Sequence, residues 1–154
     1  MKQIVWACFV ILFALPARAD DTPPAYRPGV GDLMTSLVQP RHIKLWIARR
    51  QGNWTYAEYE RKNLAEMLTK VGKNTPVYRK LDLPGLIESS TGDQLTRLEA
   101  AIKTKDTKAF DSAYADLTNG CNTCHQATGQ TPSHIKVPTS LNGPFIDQDF
   151  VPQP

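Results

Sequence analysis

From Asp32 onward, apolar residues recur at helical spacing. Leu33, Leu37, Lys44 and Ile47 fall near one stripe, and Met34, Val38, Arg41, Leu45 and Ala48 near its neighbour. Pro40 breaks this run, because it removes one backbone hydrogen bond and crowds the preceding turn. A kink or a restart at Pro40 is therefore expected, with Gly52-Asn53 ending the helix. Thr55 with Glu58 reads as a capping box opening a second helix, buried through Ala57, Leu64, Met67, Leu68 and Val71 and closed by Gly72. Lys73 to Ser90, with Pro76 and Pro84 and little periodicity, reads as a crossover with one turn of helix after Pro84. A third helix is predicted from about Gly92 to Thr104, carrying Leu95, Leu98 and Ile102 on one side. Asp106 is the expected N-cap of a fourth, in which Phe110, Ala113, Tyr114, Leu117 and Cys121 recur at steps of three and four. Cys124 and His125 continue that stripe. The pattern predicts an all-α protein, a four-helix bundle over residues 32–128.

The two ends read differently. Residues 1–19 combine Lys2, a 12-residue apolar run from Ile4 to Leu15 and Ala17-Arg18-Ala19, the pattern of a secretory signal peptide. The run falls short of the roughly 20 apolar residues that span a bilayer. Cys8 lies inside it and not at its end, which argues against a lipoprotein anchor. Residues 20–31 hold three prolines and two glycines and predict an extended lead-in. Residues 129–154 form a proline-rich extended C-terminal tail, with five prolines after Gly129. Ile135, Val137, Leu141, Phe145, Ile146 and Phe150 give that tail an apolar side, so it is expected to pack along the bundle.

Removing 19 of the 154 residues leaves 135 and changes the charge and cysteine counts. Lys2 and Arg18 are lost from 18 basic residues and nothing from 15 acidic ones, so +3 becomes +1. So small a charge offers no electrostatic case for nucleic acid. Of three cysteines, Cys121 and Cys124 remain, too close together for the dispersed framework of a disulfide-stapled domain. With Asn122, Thr123 and His125 they spell C-x-x-C-H, the c-type haem attachment signature. Two thiols about one helical turn apart match the two vinyl groups of one haem. His125, four residues after Cys121, lies on nearly the same side and is placed to be the proximal iron ligand. A zinc site lacks its other ligands, since His42 and His134 are single and distant. A thioredoxin-type pair expects a helix start after a strand, whereas this one ends a long helical pattern. A plain disulfide would leave the adjacent histidine unexplained. Export agrees with haem, which is attached to such motifs outside the cytoplasm.

A helical exported chain with its C-x-x-C-H on the last long helix resembles the class II c-type cytochromes, the cytochrome c prime group and its low-spin relatives. Only Cys121, Cys124 and His125 match residue by residue; the rest of the likeness is architectural and covers about Asp32 to Thr128. Pro40 and the long tail depart from the family pattern. The resemblance implies four antiparallel helices around one covalently bound haem c. It also implies a choice at the sixth iron position, where a strong ligand suits electron transfer and a vacancy suits gas binding. The low-spin members use a methionine early in the first helix, and Met34 stands there, with core packing as its alternative role. His42 is the lesser candidate ligand, Met67 reads as core, and His134 is a remote third option. Tyr114 is the aromatic expected at the haem pocket. Arg41, Lys44, Arg49 and Arg50 read as a solvated basic face, with pairing to a haem propionate as the other option. The expected function is an exported monohaem c-type cytochrome that carries single electrons between redox partner proteins and is not an enzyme, with haem-based catalysis left open. It would be periplasmic in a Gram-negative source, with no transmembrane segment in the mature chain and with a homodimer left open. The alternatives are a five-coordinate haem protein binding nitric oxide or carbon monoxide, and a haem subunit docked on a larger redox complex.

Overall fold

The computed structural model describes residues 26–141. The predicted signal peptide, most of the lead-in and the end of the tail lie outside the described residues. The protein is all-α, with two very short strands. Helical structure begins at Val30, two residues before the expected Asp32. The Asp32 carboxylate accepts the Gly29 N–H at 3.0 Å and so satisfies a backbone donor at the helix start. Helix α1 (Val30–Leu33) runs into a π-helical turn (Met34–Val38) and then into α2 (Gln39–Arg50), which carries Pro40 in its first turn. The wider turn is how the chain accommodates Pro40. The proline needs no N–H partner in the first turn of a helix, and the looser ladder before it relieves the clash.

Helix α3 (Trp54–Asn74) starts one residue earlier than expected. Its cap is Asn53, whose side chain accepts the Tyr56 N–H at 3.0 Å. The expected Thr55–Glu58 box therefore does not form; Glu58 accepts from Arg61 at 2.8 Å and faces Lys62. Strands β1 (Val77–Tyr78) and β2 (Leu81–Asp82) pair antiparallel about Arg79 and Lys80, both in the left-handed region at φ 51° and 67°. Helix α4 (Leu83–Thr104) then starts at once, with Pro84 in its first turn. This corrects the expected crossover through Ser90. Ser90 and Thr91 are buried in the helix, and Thr91 returns its hydroxyl proton to the Ile87 carbonyl at 2.8 Å. The buried face thus continues through small polar residues that carry no apolar period. Asp106 caps α5 (Thr107–Ala127) as expected, accepting from Lys108 N and Ala109 N at 2.9 and 3.0 Å.

Each long helix packs on the next, α2 on α3, α3 on α4 and α4 on α5. Leu45, Ala48, Ala57, Val71, Leu98, Phe110 and Leu117 are completely enclosed between them, each large one contributing about 1.5–3 kcal/mol by burial. Two of the α2 cations, Arg41 and Arg49, bridge to other helices, while Arg50 is exposed. Arg41 pairs with the buried Glu60 of α3, Arg49 with Asp111 and the Thr107 carbonyl of α5, and Arg50 lies over Trp46. Met67 sits at the margin of the core, half-buried against it.

Helices α4 and α5 approach closely at Gly120, one residue before the motif. A Cβ there would stand 1.9 Å from the Ser90 carbonyl oxygen, so the α4–α5 contact exists only because residue 120 has no side chain. Gly120→Ala must push the two helices apart. The expected loss is about 1–3 kcal/mol, read as a lower denaturation midpoint. Gly31→Ala, at an exposed helical position where a Cβ meets nothing within 4 Å, is the control and is neutral or stabilising. Equal behaviour of the two variants would refute the contact.

Candidate functional site

The C-terminal turns of α5 present Cys121, Cys124 and His125 to one cleft. The α5 stripe starts at Phe110 and reaches Cys124 at three- and four-residue steps, so the residues that bury the helix also aim the motif inward. Across the cleft stand Met34 and Val38 from the π-helical turn and His42 from α2. Leu68 of α3 and Ile87 and Thr91 of α4 complete the walls. Beyond α5, Ser133 and Ile135 of the tail form one side. The space between them is about 740 Å³ with its open mouth included, and its lining is mostly apolar. A second, adjoining space shares Met34, Thr35, Cys124, His125 and Ser133 and adds Tyr78 of the hairpin.

The end of α5 is held from three sides. Gly129 takes the left-handed conformation at φ 67°, and Gln130 N donates back to the His125 carbonyl at 2.6 Å. Arg79 donates to the Thr128 and Gly129 carbonyls, placing a cation at the negative end of the helix dipole. Asn122 grips the tail, donating to the Ile135 carbonyl and accepting the Ile135 N–H, both at 2.8 Å. The His125 Nδ1 lies within hydrogen-bond distance of the Ser133 carbonyl. An Nδ1–H given to that carbonyl leaves Nε2 as the ring nitrogen to bind a metal.

Both cysteines are free thiols. Burial pushes Cys121 up to about 11, with Cys124 beside it adding to the effect, and burial also raises Cys124. They are therefore protonated at neutral pH, the reverse of the electropositive setting that activates a redox thiol. Among the described residues, no group of three or more His, Cys, Asp or Glu side chains is arranged to hold a metal ion.

Of the candidates, Met34, His42, Cys121, Cys124 and His125 meet at the cleft, and Tyr114 does not line it. Tyr114 lies one layer behind, fully buried and tilted against the His42 ring with centroids 4.6 Å apart. Its hydroxyl donates to the His42 carbonyl at 2.7 Å and lies 3.0 Å from His42 Nδ1. His42 Nε2 lies 3.0 Å from the Thr118 hydroxyl. Both ring nitrogens are thus engaged inside the protein. His134 is exposed and does not line the main cleft. None of Arg41, Lys44, Arg49 and Arg50 lines it either. Sequence reasoning passed over Thr35, Thr91, Asn122, Tyr78 and Arg79, and also Ser133, which acts through its backbone and so leaves no trace in residue type.

Comparison with protein-family models, with curated proteins and with solved structures finds no match for this chain.

Burial holds the His42 ring neutral, lowering it to about 4 from its ordinary 6.5. Between those values the unfolded chain takes up a proton that the folded protein refuses. Stability therefore falls as pH drops from 6.5 toward 4, by as much as about 3 kcal/mol from this residue. Urea unfolding at pH 4.5 and 7 should show His42→Gln losing much less between the two than the parent protein does. Equal losses would place the acid sensitivity elsewhere.

Proposed function

We propose that this chain is an exported monohaem c-type cytochrome that carries single electrons, its haem c held in a four-helix bundle of the class II kind. One observation supports it above the rest. Cys121, Cys124 and His125 face the same cleft as Met34, a residue some ninety positions earlier in the chain. The donor set fits the group. Two protonated thiols one turn apart suit thioether attachment, an imidazole stands on the same helix, and a soft thioether stands on another element. When bound, haem iron supplies the one-electron chemistry by cycling between ferric and ferrous.

The rest is done by the chain. Cys121 and Cys124 would tether the group, His125 would ligate through Nε2, and Val38, Leu68, Ile87 and Ile135 would give it an apolar wall. Met34 is the assigned sixth ligand in preference to His42, whose two nitrogens are already hydrogen-bonded to Tyr114 and Thr118. His42 then serves as a neutral, polar part of the wall. The leader of residues 1–19 assigns the protein to an exported compartment, the periplasm in a Gram-negative source. Among the described residues no helix is long and apolar enough to cross a membrane. The natural partners are redox proteins, and a small net charge gives no case for nucleic acid.

The test is spectroscopic. The purified protein should keep its haem in acidified organic solvent and give a low-spin ferric spectrum that, after reduction, is unmoved by carbon monoxide. Met34→Ala should convert it to high spin and open it to carbon monoxide, while His42→Gln stays low-spin. Extractable haem would refute covalent attachment. A high-spin parent that binds carbon monoxide would replace electron transfer by gas binding.

A further inference from the structure

We infer that Asn122 is a positioning residue that latches the tail over the cofactor cleft and thereby holds the Ser133 carbonyl on His125. The inference rests on the haem reading above and extends it to a residue inside C-x-x-C-H that the motif leaves unspecified. Asn122 and Ile135 form a closed pair in which each donates and each accepts at 2.8 Å. A side-chain amide has the same donor and acceptor as a peptide group, so Asn122 offers the tail one strand-like pairing from the surface of a helix. The pairing sits one turn before His125 in the helix and two residues after Ser133 in the tail. Fixing Ile135 therefore fixes the segment between. Within that segment the Ser133 N–H donates to the Gln130 carbonyl at 2.9 Å, closing a turn that aims the Ser133 carbonyl at the His125 ring. The Asn122 side chain does not itself line the main cleft, so it acts through the tail and not on the cofactor.

An Nδ1–H that donates to a backbone carbonyl makes the imidazole a stronger electron donor through Nε2 and fixes its plane. A stronger donor favours ferric over ferrous iron, so the latch lowers the reduction potential. Ile135, held by the same pair, covers one wall of the cleft. The tail thus sets the hydrogen bond of the proximal histidine as well as covering the cleft.

The test uses the full-length holoprotein, with covalent haem scored first by its retention on a denaturing gel. Asn122→Ala removes the latch from the helix side, and Ile135→Pro removes it from the tail side by deleting the donated N–H. Thr139→Ala, at an exposed tail position, is the control. Both latch variants should raise the reduction potential relative to the parent. They should also speed solvent exchange of the His125 Nδ1 proton, followed by NMR of the ferric protein, by more than tenfold. The control should change neither. Covalent haem with potential and exchange unaltered in both variants overturns the latch alone. A parent without covalent haem overturns the haem reading and the latch with it.

Discussion

The arrangement of the site depends on one buried contact, in which His42 of α2 is pinned between Tyr114 and Thr118 of α5. Tyr114 gives its proton to the His42 backbone, the ring sits between two hydroxyls, and the two aromatic rings lie against each other. Three polar side chains with no access to water are tolerable only when their hydrogen bonds are made, so the two helices have one register in which this cluster can be buried. That register sets Met34, two turns before His42, across from the last turns of α5. Arg49, further along α2, repeats the link to α5 through Asp111 and Thr107. Arg41 and Arg49 thus join helices, and none of the α2 arginines or lysines lines the cleft.

Pro40 acts on the same geometry from the other side. A regular helix from Val30 to Arg50 would carry the proline in its interior, where it costs about 3 kcal/mol. The π-helical turn removes that conflict and changes the angular position of everything before it. Met34 is its first residue, so the accommodation of one proline decides which side chain faces the cleft. Wide turns of this kind are frequent at functional sites, where a local departure from the regular ladder re-aims a side chain.

Much of this was legible in the residues. The α5 stripe, its Asp106 cap and the C-x-x-C-H at its end are read from spacing alone, because a buried helical face and a cofactor motif both declare themselves by residue type. The start of α4 was hidden, because its buried positions between Ile87 and Leu95 are Ser90 and Thr91, whose hydroxyls look like a loop. Thr55 with Glu58 fits the capping-box pattern, yet Asn53, which reads as the end of the preceding helix, caps α3. The hairpin was invisible since Arg79 and Lys80 occupy left-handed positions where glycine or asparagine is usual. Tyr114, expected at the cofactor pocket, lies behind the cleft instead, packed against His42.

The placement of the cysteines also closes off other chemistries. Thiols at the C-terminal end of a helix face the negative end of its dipole, and here burial raises them further. A low thiolate fraction makes disulfide exchange slow, and among the described residues no group of three or more His, Cys, Asp or Glu side chains is arranged as a metal site. Burial and a helix-end position make Cys121 and Cys124 poor redox thiols while keeping two reduced, adjacent sulfurs at the cleft beside His125, which is what the proposed attachment requires.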